Sequence, residues 1–324
     1  MFAHRRKAWG ISLAAVAVGL ATSAAAWPGA PAAGAPGADC AGARAGIERL
    51  EGRITPNVCA FLQRQLAFGG MPTGDAPLTG DKALQHPRVA AYLDIFDPAA
   101  TLWEAGSAPR TGQPVIGAAI AGSLRLAPDL RYTGTNVVAD GGVVMFGQWN
   151  TATVKGHKVA YPQIARNVLG DGGRTLQARR YYDRHVLVRD TLPDAPEGLF
   201  DGIADSGGPP APGPAPARLA GPGLAAPLVT KAGKRDYLQR LLDRADLELK
   251  AGQVAFGKTT TYVEWYGTVS RKRATPNGEN GPAVPFGIVE RFGPDGEWEL
   301  YFDTLPVLAD QDTINGLLTR LATP

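Results

Sequence analysis

The feature that most constrains this chain is an internal repeat with a spacing of about 120 residues. The segment LAPDLRYTGTNVVADGGVVMFGQWNTATV resembles the later segment DRADLELKAGQVAFGKTTTYVEWYGTV, with Asp129 matching Asp246 and Trp149 matching Trp265. Further on, each copy ends in an aromatic residue followed by Asp. This spacing is too long for a solenoid and predicts two copies of one domain. A chance similarity between two strand-rich segments is the alternative.

Hydrophobic patterning and turn residues predict the secondary structure around the first copy. Residues 41–68 are expected to be helical, with Thr55 and Pro56 as an N-cap and first helical residue, and a further helix is expected near 81–96. Four successive strands are then predicted, joined by the turns DGG, KGH and GDGG. Residues 193–232 are rich in Pro, Gly and Ala and are expected to form a linker.

The N-terminus indicates export. Residues 1–26 combine a basic flank, an apolar run and small residues, which is typical of a signal peptide, and residues 27–40 predict a flexible tether. The expected location is extracellular or in the cell envelope, with an uncleaved membrane anchor as the alternative. The chain has two cysteines, Cys40 and Cys59, and in an oxidising compartment a structural disulfide between them is expected. The net charge of +3 with scattered basic residues argues against a nucleic-acid partner.

A motif in residues 85–188 resembles a known superfamily. Glu104 precedes a proline-containing loop at 106–112, a helix opens near Ile116 or Ile120, and the tripeptide Pro-Asp-Leu follows at 128–130. The last strand ends in Tyr-Tyr-Asp at 181–183. These residues resemble the NTF2-like superfamily and, within it, the SnoaL-like and ketosteroid-isomerase-like proteins. Residues 234–308 match the same pattern less completely.

The resemblance implies an α+β fold with two tandem NTF2-like cones, each a curved antiparallel sheet covered by helices. We expect an N-terminal helical segment at 41–80, a first domain at 81–192 and a second, reduced domain at 233–324. The linker occupies the place where the second domain should carry its helices. Since Pro and Gly are poor helix formers, we expect this copy to be reduced there. We therefore hypothesise that residues 41–70 cover the second sheet. Family members pair through the convex sheet face, so we expect this pairing within the chain or in a homodimer.

The resemblance also implies an apolar cavity with Glu104 as its catalytic residue. In related isomerases the matching acid transfers a proton beside a ketone, and Trp103 would form an apolar wall that raises its pKa. The acid that stabilises the oxyanion in those enzymes falls near Ala165, so this chain lacks it. The alternative is that Glu104 is a solvent-facing acid at a strand end.

Residues with side chains predicted to point into a cavity are assigned to ligand binding by strand alternation and the family alignment. They are Trp103, Phe146, Gln148, Asn150, Tyr161, Gln163 and Tyr182 in the first copy, and Glu264 and Tyr266 in the second. A structural hydrogen-bond network is the alternative for the polar ones. The histidines are scattered and no metal-ligand spacing occurs, so neither a metal nor a cofactor is predicted.

The sequence thus predicts an exported SnoaL-like enzyme for an apolar carbonyl-bearing or polyketide-like ligand, acting by carboxylate-mediated proton transfer. Isomerase or cyclase chemistry suits a single carboxylate, and epoxide opening suits it less well. The alternative is a non-catalytic ligand-binding or cell-envelope accessory protein. The missing oxyanion acid and the reduced second copy favour that alternative.

Overall fold

The structure is a computed structural model that describes residues 40–72, 78, 80–189, 191–192, 244–272, 280–294 and 297–322. The predicted signal peptide, all but the last residue of the tether and the linker at 193–232 lie outside these residues. Within the described ranges, no helix is both long enough and apolar enough to cross a membrane.

The elements form one seven-stranded and one four-stranded sheet with helices, which confirms the α+β class. The N-terminal elements are α1 (Ala41–Ala45), β1 (Ile47–Gly52), α2 (Pro56–Gly70), α3 (Pro87–Asp94), β2 (Phe96–Glu104), β3 (Arg110–Thr111) and α4 (Gln113–Leu126). The central elements are β4 (Arg131–Asp140), β5 (Val143–Val154), β6 (His157–Leu169), β7 (Thr175–Tyr181) and α5 (His185–Arg189). The C-terminal elements are β8 (Ala245–Phe256), β9 (Thr261–Arg271), β10 (Val284–Phe292), β11 (Trp298–Tyr301), α6 (Leu305–Leu308) and α7 (Gln311–Ala322).

The first sheet has the strand order β1-β4-β5-β6-β7-β2-β3 and the second has the order β8-β9-β10-β11. From β4 to β7, each strand pairs antiparallel with the next strand along the chain, and the same holds from β8 to β11. The four predicted strands of the first copy are therefore present, and the second sheet repeats their order. The parallel pairs β1–β4 and β2–β7 extend the first sheet beyond this shared unit.

The ends of the two repeats meet each other in space. Asp183 accepts a hydrogen bond from the backbone N–H of Thr304 at 3.0 Å, and Asp303 accepts one from the backbone N–H of Arg184 at 3.2 Å. Each aspartate also accepts from the backbone of its own repeat two residues later. Each aspartate thus accepts from the residue that follows the matching aspartate of the other repeat, so the contacts are reciprocal.

The N-terminal segment departs from the predicted all-helical run. Residues 47–52 form β1, which pairs in parallel with β4. Without β1, β4 would be the open edge of the sheet, and pairing with such an edge overrides a short helical pattern. Gly52 ends the strand with a φ of +88°, and a Cβ there would lie 2.0 Å from the carbonyl oxygen of Ala139. The predicted cap of α2 is present, since Thr55 accepts from the N–H of Val58. The disulfide between Cys40 and Cys59 is also present.

The hypothesis that residues 41–70 cover the second sheet is wrong. Helix α2 lies on the first sheet, where Phe61, Leu62 and Phe68 are buried in one core with residues of α3, α4, β4 and β5. Because β1 joins the edge of the first sheet, the helix that follows it after three residues returns over that same sheet. We call this covered side the inner face.

The opposite side of the first sheet, its outer face, packs against the second sheet. Buried apolar and aromatic side chains meet there, namely Trp103, Val138, Met145, Ile164 and Tyr181 from the first sheet and Ala255, Tyr262, Val289 and Tyr301 from the second. Tyr262 also donates to the backbone carbonyl of Asn136 at 2.9 Å. The pairing through the outer face therefore occurs within the chain.

Candidate functional site

A cavity of about 110 Å³ lies between the inner face of the first sheet and helices α2, α3 and α4. One side is apolar and the other carries one acid, one arginine, amides and phenols. Its lining residues are Phe68, Tyr92, Glu104, Ile120, Ser123, Leu126, Ala127, Leu130, Tyr132, Gln148, Asn150, Ala152, Val154, Tyr161, Gln163, Arg180, Tyr182 and Leu187. Six of the predicted site residues are among them: Glu104, Gln148, Asn150, Tyr161, Gln163 and Tyr182.

Strand alternation and register bring the polar side chains of β5 and β6 together. Gln148 lies directly opposite Gln163 in the sheet, and Asn150 lies opposite Tyr161. Partners in antiparallel register project to the same face, so all four reach the cavity. This part of the site follows from period-two spacing on each strand, although the pairing between strands does not.

The amides of the cavity form a chain that is only partly satisfied. Gln148 Nε2 donates to Asn150 Oδ1 at 2.7 Å, and Asn150 Nδ2 donates to the carbonyl of Tyr161 at 3.4 Å. Gln148 Oε1 and Gln163 Nε2 are buried and have no hydrogen-bond partner among the described residues. Buried polar atoms are normally paired, so one free acceptor and one free donor are available to a ligand.

Glu104 stands at the end of β2, where its side chain is 22% exposed. Arg110 Nη1 donates to its Oε2 at 2.7 Å, while Arg180 Nε lies 3.9 Å from its Oε1. The acid is therefore neither fully solvated nor isolated. One carboxylate oxygen is held by Arg110, and the other faces Arg180 beyond hydrogen-bond distance.

Arg180 is a site residue that the sequence reasoning missed. Its side chain is 6% exposed, and Nε and Nη2 have no hydrogen-bond partner among the described residues. Its guanidinium lies 5.2 Å from the ring centre of Tyr92. Burial lowers the pKa of Arg180, but the Tyr92 and Glu104 side chains favour the charged form and leave the pKa above its ordinary value. Strand alternation along β7 indicates the position of Arg180, because it lies two residues after Ala178, which belongs to the core on the inner face.

The phenols of the cavity remain protonated at neutral pH. Burial raises the pKa of Tyr92 to about 12, and burial together with the Glu104 charge raises the pKa of Tyr161 and of Tyr182 above the ordinary tyrosine value. The rings of Tyr161 and Tyr182 lie side by side, with centroids 5.6 Å apart. A protonated phenol donates a hydrogen bond, so this wall suits a carbonyl or enolate oxygen.

Trp103 and Phe146 lie in places that differ from the prediction. Trp103 does not wall the cavity, because it alternates with Glu104 along β2 and points to the outer face, against Tyr181 and Tyr266. Phe146 is on the inner face as expected. It packs edge-on against Phe61 within the hydrophobic core and is not among the cavity-lining residues.

Glu264 and Tyr266 also lie away from a ligand cavity, between the two sheets. Glu264 is fully buried, and its Oε1 lies 3.1 Å from Arg166 Nε and 3.2 Å from Arg179 Nη1. It also accepts hydrogen bonds from the hydroxyl of Tyr181 and the backbone N–H of Gln253. The Arg179 guanidinium lies 3.7 Å from the ring centre of Tyr266. The predicted second-cavity residues are thus an interface ion cluster, because their strand face packs on the first sheet.

No protein-family model matches the sequence, and a comparison with curated proteins finds no match. Solved structures with NTF2-like folds do match. A protein described as a SnoaL-like polyketide cyclase from Jannaschia sp. is 16% identical, with a TM-score of 0.35, covering 44% of this chain and 98% of its own. A ketosteroid-isomerase-like protein from Catenulispora acidiphila, in complex with trimethylamine, is 17% identical, with a TM-score of 0.32, covering 40% of this chain and 91% of its own.

An NTF2-like protein of unknown function from Burkholderia pseudomallei is 11% identical, with a TM-score of 0.34, covering 43% of this chain and 99% of its own. The descriptions of these three structures are SnoaL-like, ketosteroid-isomerase-like and NTF2-like. No reaction or ligand is transferred from them, since one fold of this kind hosts unrelated functions. The function is argued below from the cavity.

Proposed function

We propose that this protein is a small-molecule enzyme of isomerase or cyclase type in which Glu104 transfers a proton on a carbonyl-bearing ligand. The observation that carries the proposal is the position of Glu104, which lines the cavity together with buried amides and phenols. A carboxylate next to a carbon acid needs a donor at the developing enolate oxygen. Tyr161 and Tyr182 are the protonated donors available for that role.

The roles of the two carboxylate oxygens differ in this mechanism. Oε2 is held by Arg110, which orients the carboxylate, and Oε1 is the atom that removes the proton and returns it. Gln148 and Gln163 orient the ligand through their free acceptor and donor atoms. The cavity of about 110 Å³ is smaller than the apolar cavity of about 150 Å³ that accommodates benzene, so it limits the enclosed part of the ligand. A short chain or part of a single ring is the fragment that fits.

Proton transfer can be tested with a probe ketone. Cyclohex-3-enone isomerises to the conjugated cyclohex-2-enone through an enolate, and the product is followed by ultraviolet absorbance. We expect wild-type protein to accelerate this reaction and Glu104→Gln to lose at least about a hundredfold of the acceleration. Glu48→Gln is the matched control, because Glu48 is exposed on β1, and it should keep wild-type rates. Equal rates for wild type and Glu104→Gln would exclude Glu104 as the base.

The second candidate is a non-catalytic binding protein, and the ion pair of Glu104 with Arg110 favours it. A carboxylate oxygen that accepts a hydrogen bond from an arginine is occupied and is not free to take a proton from a ligand. Binding of cyclohexanone to both the wild type and Glu104→Gln, with no isomerisation by either, would select this candidate. We propose export to the extracellular space or cell envelope for either function, supported by the N-terminal pattern and the disulfide between Cys40 and Cys59.

A further inference from the structure

The charged side chains at the cavity do not sum to zero. Of the described residues at the cavity, Glu104 is the one acid, while Arg180 in the lining and Arg110, which binds Glu104, supply two positive charges. Arg110 satisfies Glu104 through a direct hydrogen bond, so the unbalanced charge is that of Arg180. Leaving buried guanidinium nitrogens without partners costs free energy, so the unpaired nitrogens of Arg180 are candidate contacts for a ligand.

The two unpaired nitrogens of Arg180 have a specific geometry. Nε and Nη2 lie on one edge of the planar guanidinium and donate in parallel, which matches the two oxygens of a carboxylate. The side chain is held in place by the Tyr92 ring. A neutral carbonyl satisfies only one of these donors and leaves the charge unbalanced.

The rest of the cavity defines what accompanies the carboxylate. Apolar contacts come from Ala152, Val154, Ile120 and Leu187. The volume of about 110 Å³ suits a short chain or part of one ring. Gln163 Nε2 is a free donor for a carbonyl oxygen on the ligand, and Gln148 Oε1 is a free acceptor for a hydroxyl group.

We propose that the ligand of this cavity is a small monocarboxylate, one ring or a short chain with a carbonyl or hydroxyl group, whose carboxylate binds Arg180 through Nε and Nη2. This inference rests on the proposed function, because it names the ligand class of the same cavity. It assigns Arg180 to ligand binding, with Gln148 and Gln163 as selectivity residues. Neutral ketones of the same size are then expected to bind more weakly than such a carboxylate.

Benzoate and benzamide form a matched pair of probes, equal in size and different in charge. Titration calorimetry on the wild-type protein is expected to give at least about tenfold tighter binding of benzoate, since its carboxylate accepts two charge-assisted hydrogen bonds from Arg180. Arg180→Gln is expected to remove the preference for benzoate. Arg180→Lys, which keeps the charge without the fork, should retain the preference with weaker binding.

Arg131→Gln is the control, because Arg131 is exposed at the start of β4 and its loss removes the same formal charge. It is expected to bind benzoate as the wild type does. Equal affinity for the two probes, no detectable binding of benzoate, or unchanged benzoate binding in Arg180→Gln would each overturn the inference. Should Arg180→Gln fail to fold, the two wild-type titrations and Arg180→Lys still decide.

The outcome is separable from that of the proposed function. Isomerisation of cyclohex-3-enone that depends on Glu104, without benzoate binding, would remove only the carboxylate inference. Benzoate binding that depends on Arg180, without isomerisation, would support the inference and remove only the catalytic proposal.

Discussion

A cluster of one glutamate and two arginines lies at each face of the first sheet, and the two clusters differ in how completely they are paired. On the outer face, Glu264 contacts Arg166 and Arg179 and accepts two further hydrogen bonds. On the inner face, Glu104 is bonded to Arg110 alone, and two nitrogens of Arg180 lack partners among the described residues. Arg179 and Arg180 are neighbours on β7, so one residue step separates the two clusters.

The difference teaches where function is located in this molecule. A closed cluster stabilises one arrangement of two packed sheets, because every buried charge has a partner that would be lost on separation. An open cluster beside a cavity keeps donors available at a cost in stability, which is typical of binding sites. Buried charge alone therefore does not identify the site, whereas buried polar atoms without hydrogen-bond partners do.

The largest expected effect comes from breaking the outer cluster. Glu264→Ala leaves Arg166 buried without its carboxylate, and we expect a loss of about 3–5 kcal/mol in the free energy of unfolding. Denaturant titration measures it. Glu248→Ala on the neighbouring strand β8 is the control, since Glu248 is exposed, and its effect should stay within about 0.5 kcal/mol. A loss below about 1 kcal/mol for Glu264→Ala would contradict the role given to the outer cluster.

Matched substitutions of two arginines test the comparison directly. Arg166→Met removes hydrogen bonds to Glu264 and Gln177 and is expected to cost about 3 kcal/mol or more. Arg180→Met replaces an incompletely paired charge with an apolar side chain, and we expect stability to be unchanged or raised by about 1–2 kcal/mol. Thermal and denaturant unfolding of both variants measure the contrast. Equal destabilisation would show that Arg180 is as fully satisfied as Arg166.

The smallest expected effect concerns the edge of the contact between the sheets. Glu51 on β1 accepts hydrogen bonds from Thr259 and Thr260 in the turn between β8 and β9. Burial alone would raise the pKa of Glu51, but these hydrogen bonds lower it from 4.5 to about 2. A lowered pKa contributes stability that is present above pH 4.5 and lost as the pH falls towards about 2.

Glu51→Gln is accordingly expected to flatten the decline of stability across this pH range, by about 1 kcal/mol or less because the group is largely solvated. The measurement is the free energy of unfolding as a function of pH for the wild type and the variant. Parallel curves for the two proteins would contradict the assigned role of Glu51.

Several parts of the fold and site were predictable from local pattern. Thr55 and Pro56 predict the start of α2. Alternation along β5 and along β6 predicts which residues of each strand share a face, and the family resemblance implies that the face with Gln148 and that with Tyr161 look into the cavity. The segment at 47–52 was predicted as helix because Ile47 and Leu50 fit a helical spacing, and only the open edge of β4 makes it a strand. Glu264 shows the same limit. Alternation puts Glu264 and Tyr266 on the same face of β9, but the structure packs that face on the first sheet and not on a ligand cavity. The sequence does not state whether a strand face meets a cavity or another sheet.

The sequence by itself determined the α+β class, the repeated strand order, the disulfide pair and the set of polar residues on β5 and β6. These depend on spacing along the chain, which dihedral geometry converts into faces and turns. Tertiary structure decided that the second sheet packs on the outer face, that Glu264 binds arginines in an ion cluster, and that Arg180 faces Glu104. Those outcomes depend on which faces pack together after folding, because this packing determines which charged side chains are buried and which are paired.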